Sequence, residues 1–284
     1  MYRFALKPRW LLSHLFVLAL VVTMVNLGLW QWGKYEDKKA DNKVVRERLA
    51  AQPVDVGTLL APGDPWAKGK TVQNRTVTVS GVYVADEQML IRGRSLLQNP
   101  GSWVMTPLRR SDGTLVIVNR GWIANDGSYT AVPSQFVPPT GTVAVTGLVQ
   151  PTVVRERIGP TDPATGHLDN LARADIARYA EQLDAPVVPA WVQLRSSVPP
   201  VSTSAKTTPR ILGPPELDQG PYFSYAVQWA IFTTIALVGY PLILRRNARE
   251  KAIERKVEAE GGPPPEDDGS GPVPSTDPVG SAAG

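Results

Sequence analysis

Cysteine is absent from all 284 residues, and histidine occurs only as His14 and His167. The first absence excludes a disulfide framework, a thiol nucleophile, an iron–sulfur cluster and a thiolate copper site. The second excludes a histidine-rich zinc centre. There is no GxSxG, no HExxH, no Walker loop and no GxGxxG following a strand. No carboxylate pair stands out, and Arg155-Glu156-Arg157 reads as a solvated, salt-bridged patch. Enzymatic catalysis is therefore not expected. The net charge is only +4, and basic residues gather beside apolar stretches. That pattern reads as topology and contact with lipid headgroups, not as nucleic-acid binding.

Two stretches lack charged side chains altogether: Trp10 to Trp32 and Tyr222 to Leu244. Each has the ~20 apolar residues that a helix needs to cross ~30 Å of hydrocarbon. Trp10 and Trp30 would stand ~30 Å apart at 1.5 Å per residue, placing Trp30, Trp32 and Tyr35 at an interface where amphipathic rings sit. The first stretch is too long for a signal-peptide core and is followed by no small-x-small site, so an uncleaved anchor is expected. Arg245, Arg246, Arg249, Lys251, Arg255 and Lys256 follow the second stretch. By the positive-inside rule they put the C-terminus in the cytoplasm. The first stretch argues weakly the other way, with more basic residues after it than before it.

The expected organisation is a cytoplasmic N-terminus (1–9), a first transmembrane helix (10–32), an extracytoplasmic α+β domain (33–221), a second transmembrane helix (222–244) and a cytoplasmic basic flank with a disordered tail (245–284). The fold class is a membrane protein in which two transmembrane helices flank a domain with an antiparallel sheet that could curl toward a barrel. The localisation is the cell membrane, multi-pass, with both termini inside. Residues 33–50 should continue the first helix until Pro53 and Pro62–Pro65 stop it. Strands are expected over Thr76–Val84, Met89–Arg92, Ser102–Arg109, Thr114–Ile123, Gly141–Val149 and Val187–Leu194. Ser111-Asp112-Gly113 supplies a hairpin turn, and Pro189 suggests an edge strand. One soluble helix is expected over Leu171–Leu183, capped by Asp169 or Asn170. Asn74 reads as a surface loop residue.

Polar residues within the spans narrow the function. His14 is either an interfacial residue or a weak candidate heme ligand, and His167 reads as an exposed loop or capping residue. Met24, Gly28, Gln31 and Tyr35 form one stripe on the first helix. Tyr225, Gln228 or Trp229, Phe232 and Ala236 form another on the second. Gly28 permits close approach and Gln31 can bond across an interface. The helices either pack on each other or present a face to a partner. On the strand Thr114–Ile123, Arg120 either closes a buried carboxylate pair at the end of the hairpin or presents its planar fork to a carboxylate from outside.

Three blocks carry a family resemblance. They are Leu27-Gly28-Leu29-Trp30-Gln31-Trp32; Pro100-Gly101 through Thr106-Pro107-Leu108 to Val118-Asn119-Arg120-Gly121-Trp122; and Ser224-Tyr225-Ala226 through Gln228-Trp229. At these residues the chain resembles the Surfeit locus protein 1 family of cytochrome c oxidase assembly factors, of the bacterial, actinobacterial type. The resemblance implies a non-enzymatic membrane protein that assists heme a insertion or maturation of the oxidase catalytic subunit. It implies that subunit, and a respiratory supercomplex around it, as partners beside the lipid bilayer. No cofactor is certain, and heme a is the transient candidate. The residues implied to face partner or heme are Gly28, Trp30, Gln31, Asn119, Arg120, Gly121, Trp122, Tyr222, Tyr225, Gln228 and Trp229. Tyr222 stands where the family carries a histidine as candidate ligand, so it reads either as a ligand or as an interface anchor. Two alternatives stay open: a permanent accessory subunit of a respiratory oxidase, and an extracytoplasmic ligand-sensing module.

Overall fold

A computed structural model describes residues 6–202, 204 and 206–261. The tail expected to be disordered lies outside the described residues beyond Gly261. In chain order the elements are α1 (Pro8–Ala50), β1 (Val54–Asp55), α2 (Lys68–Thr71), β2 (Thr76–Tyr83), β3 (Met89–Ile91), β4 (Gly101–Arg109), β5 (Leu115–Ala124), β6 (Thr142–Gln150), β7 (Asn170–Leu171), α3 (Ile176–Ala180), β8 (Val187–Val198) and α4 (Tyr222–Glu260). They group into two compact units, Met1–Glu36 with Gly220–Gly284, and Asp37–Gln219.

The first unit holds two helices long and apolar enough to cross a membrane. Proline at the first position of α1 needs no hydrogen-bonded N–H there. The helix ends before Pro53, as its sequence requires. Several polar side chains in the apolar stretches are satisfied within their own helix. Thr23 and Asn26 donate to the carbonyls of Ala19 and Val22, and Thr233 and Thr234 to those of Trp229 and Ala230. Such back-bonding removes the main penalty for a hydroxyl or amide in an apolar setting.

The second unit is built on one sheet, ordered β1-β2-β6-β8-β5-β4-β3-β7, with a short extra ladder between β2 and β4. The expected strands are present. The β4–β5 hairpin turns at Asp112-Gly113, where Gly113 has φ +84° and the Asp112 carboxylate accepts from the Thr114 N–H and hydroxyl. The sheet is mixed, not antiparallel: β5–β8, β1–β2 and β3–β7 all pair in parallel. The expected edge position of Pro189 is also corrected, because β8 lies between β6 and β5. Its missing N–H is tolerated where the ladders skip. β5 pairs Val187 and then Trp191 across a register shift, and β6 pairs β8 only from Trp191 onward.

β5 is buried on both faces. Val116 and Val118 join a cluster with Val77, Val79, Val145 and Val192. Leu115 and Ile117 join a second with Met89, Met105, Ile176 and Tyr179. Each such side chain removed from water is worth ~1.5–3 kcal/mol. The expected helix over 171–183 shrinks to α3, capped by Asp175, whose carboxylate accepts from the Arg178 N–H. Asn170–Leu171 instead forms β7 beside β3, and the Asp162 carboxylate accepts the Ala172 N–H. Leu171, Ile176 and Tyr179 are all buried as their pattern implies, but through a strand followed by one turn. Asn74 is buried rather than at the surface. Its φ is +63°, its N–H donates to Val149 O, and its Oδ1 accepts from Gln150 Nε2.

Candidate functional site

The Val118–Trp122 block is a β-bulge. Along the β4–β5 ladder Met105 faces Asn119 and Val104 faces Gly121, so Arg120 is the extra residue without a partner. A bulge re-aims the side chain it carries, and here it turns the Arg120 guanidinium inward, leaving it 4% exposed. Nη1 donates to Gln88 Oε1 (2.8 Å) and Phe136 O (2.7 Å), and Nη2 to Val137 O (3.1 Å). The guanidinium also sits 5.7 Å from the Tyr83 ring centroid. Burial pushes the Arg120 pKa down to about 10 and the Tyr83 hydroxyl up to about 12. Arg120 stays cationic at neutral pH, and Tyr83 stays a neutral phenol. The guanidinium therefore ties the end of β2, the turn at 85–88 and the loop at 134–137 into one corner. Neither reading made from the sequence describes its surroundings: the residue is buried, but its partners are carbonyls and an amide.

The rest of the block holds the bulge in place. Asn119 Oδ1 accepts the Gly121 N–H at 2.9 Å, while Asn119 Nδ2 is buried without a partner among the described residues. Gly121 has φ +136°, and a Cβ there would collide with the backbone of Arg210. Trp122 exchanges both backbone bonds with Arg210 and donates Nε1–H to Arg94 O at 2.6 Å. Glycine is thus required twice over, by its conformation and by the close strand passing it.

In the helix unit, α1 turns Ser13, His14, Met24, Gly28, Gln31 and Tyr35 to its less exposed side, as the expected stripe on that helix requires. The α4 stripe is corrected in part, since Trp229 and Ala236 lie on the covered face as expected. Its covered positions are Tyr222, Ala226, Trp229, Thr233, Ala236 and Tyr240, whereas Tyr225, Gln228 and Phe232 face out. Small Ala226 permits a close crossing at Gly28, where an added Cβ would stand 3.4 Å from Trp229 Cβ. Gln31 Oε1 is buried with no hydrogen-bond partner among the described residues. Near the other end, His14 Nδ1 and Ser13 Oγ both bond the Tyr240 hydroxyl (2.5 and 3.0 Å). Trp30 and Trp32 are exposed, and Trp32, Tyr35 and Phe223 form a ring cluster with centroids 5.5–6.2 Å apart.

Residues 18–234 match the model of the SURF1 family. The chain belongs to the SURF1 family. An uncharacterized SURF1-like protein of Mycobacterium tuberculosis is 29% identical over 270 residues, 93% of this chain and 92% of its own. One of Mycobacterium bovis is similar to the same extent. A SURF1-like protein of Dictyostelium discoideum is 28% identical over 107 residues, 37% of this chain and 40% of its own.

The two candidate iron ligands of this SURF1 family member, Tyr222 and His14, stand in different surroundings. Tyr222, at the ligand position implied by resemblance, packs its ring against Gly220, with Cε2 2.9 Å from where a Cβ would lie. His14 bonds the Tyr240 hydroxyl through Nδ1. The 480 Å³ groove between α1 and α4 is lined by apolar side chains, Met24 and Trp32 among them, with Thr233 and Thr234, and by neither of those two residues. Two contributors escaped the sequence reading: Gln88, which shares its carbonyl between Arg120 and Thr106, and Tyr240, which organises Ser13 and His14. Both lie far in sequence from the groups they hold, so no local pattern marks them.

Proposed function

We propose that the chain is an assembly factor for the heme–copper cytochrome c oxidase, acting on its catalytic subunit around heme a insertion. The observation that carries this reading is the family match over 18–234, which takes in most of both apolar stretches and the whole sheet. In this account α1 and α4 cross the plasma membrane, residues 33–221 stand outside and both termini lie in the cytoplasm. The basic run after Leu244 supports that orientation. The sheet unit supplies a rigid extracytoplasmic body, held at its corner by Arg120. The helix pair supplies the membrane face, whose exposed Trp30, Tyr225 and Gln228 are the groups available to a partner helix. The chain handles the oxidase rather than performing chemistry on it.

The reading is tested by purifying the tagged chain in mild detergent and identifying its partners by mass spectrometry. The catalytic subunit should co-purify in a form lacking its full heme complement. Recovery of the chain with no oxidase subunit would defeat the proposal. Stoichiometric recovery with mature, active oxidase would instead establish a permanent accessory subunit.

A further inference from the structure

The sheet unit carries a feature that oxidase assembly does not explain: an 860 Å³ cleft lined by Arg92, Arg94 and Arg173. Its size falls within the ~300–1,000 Å³ of ordinary ligand sites. The three cations differ in how they are satisfied. Arg92 is neutralised, with Nη2 2.5 Å from Asp162 Oδ1 and Nη1 on Asn170 Oδ1. Arg173 has only a carbonyl, with Nη2 donating to Pro160 O at 2.9 Å. Arg94 lies over the Trp103 ring at 4.6 Å, and among the described residues only its Nη2 has a hydrogen-bond partner, Ala172 O at the long distance of 3.4 Å. Its Nε is shut from solvent with no acceptor. Among the described residues, neither Arg94 nor Arg173 pairs with a carboxylate. Asp126, on the same cleft, has its Oδ1 turned to the Ser128 N–H.

Two guanidinium groups thus share one concave wall without a salt-bridge partner among the described residues, and the Asp126 carboxylate of the same cleft pairs with neither. Burial and the neighbouring Arg173 both lower the Arg94 pKa, so the charge on Arg94 is held against its surroundings. Arg120, a structural tie, differs in having both Nη atoms on well-placed carbonyl and amide oxygens at 2.7–3.1 Å. We propose that this cleft is an oxyanion-binding site, in which Arg94 and Arg173 together take a phosphate-type group. Arginine forks suit such a group bidentately. Ile158, 90% exposed, and Val153 lie on the same cleft and offer apolar contact to whatever carries the anion. The anion can come from solution or from a lipid headgroup, and both share this chemistry. The site stands on the geometry of the sheet unit alone and is independent of the oxidase reading.

Arginine labelling by phenylglyoxal, read residue by residue by mass spectrometry on the full chain, tests it. One arm compares sodium phosphate with sodium chloride at equal ionic strength in detergent. The other compares phosphatidylglycerol with phosphatidylcholine nanodiscs in phosphate-free buffer. Exposed Arg46 is the internal reference. At phosphate ten times its Kd, Arg94 and Arg173 should label about tenfold more slowly while Arg46 is unchanged. Protection by phosphate identifies a soluble anion, and protection by phosphatidylglycerol a headgroup. Arg173→Gln should abolish protection of Arg94. Its side chain is half-buried and bonds only Pro160 O, so the variant folds even if Arg94→Gln does not. Equal labelling in both arms, or slowing that Arg46 shares, overturns the proposal.

Discussion

Replacing Arg120 by leucine tests whether the motif arginine is a structural tie. In the native corner it donates to Gln88 Oε1, Phe136 O and Val137 O. The losses are unequal. Gln88 Oε1 keeps the Thr106 hydroxyl at 3.2 Å, and Val137, which is exposed, can rehydrate its carbonyl. Phe136 O is buried and loses its donor, and an orphaned buried acceptor costs ~1–3 kcal/mol. The lost charge-assisted bonds add to this, while relief from burying a cation offsets part of it. A net destabilisation of about 2–4 kcal/mol follows. For a unit of about 180 residues (Asp37–Gln219), each kcal/mol lowers Tm by ~2–4 °C, so the fall should be roughly 4–16 °C. Arg120→Lys should lose about half as much, since one ammonium cannot span the acceptors of a fork. Tryptophan fluorescence on heating the full chain in detergent reads the transition, with exposed Arg155→Leu as the control. An Arg120→Leu protein that melts within ~2 °C of wild type would refute the reasoning and return Arg120 to a partner-facing role.

Other outcomes follow from the same geometry. Gly121→Ala should cost more than ~2 kcal/mol because strain at φ +136° adds to collision with Arg210, whereas Gly127→Ala, at φ +108° in open space, should cost only the strain; paired chemical denaturation curves check the difference. The cysteine-free sequence gives a clean background for cross-linking. Gly28→Cys with Trp229→Cys should form a disulfide on mild oxidation, because the Cβ separation of 3.4 Å falls only just below the ~3.5–4.5 Å range of disulfides. Gly28→Cys with outward Gln228→Cys should not, and the reverse result would break the helix-pair account. The Thr114 hydroxyl and N–H, then Arg110, hold the Asp112 pKa below its usual value. Its contribution is therefore full above pH ~4 and lost as pH falls through the lowered folded pKa. Asp112→Asn should flatten that acid limb by less than ~1 kcal/mol, since the group is largely exposed.

What could be read from the sequence was what alternation and turn chemistry encode locally. Thr76–Tyr83 alternates and forms a strand, and Asp112-Gly113 turns the hairpin. Parallel pairing of β5 with β8 leaves no such mark, because it joins segments about 70 residues apart and arises only when both bury two faces. Pro189 misled for that reason, since a register shift absorbs it in a central strand. Leu171, Ile176 and Tyr179 satisfy a helical period and equally satisfy a strand followed by one turn. In the helix pair, α1 was legible because Gly28 and Gln31 mark one face. The α4 stripe was legible only at Trp229 and Ala236, because Tyr225 and Phe232 look like packing residues while small Ala226 sets the true face. The inward turn of Arg120 depends on a one-residue bulge, which no spacing in Val118–Trp122 announces.

The most direct test of the central proposal is deletion of the gene, followed by reduced-minus-oxidised spectra of isolated membranes. The account predicts that the heme a absorbance band and oxidase activity fall sharply and that a plasmid copy of the chain restores both. Membranes with a normal heme a band and fully assembled, active oxidase in the deletion strain would contradict it.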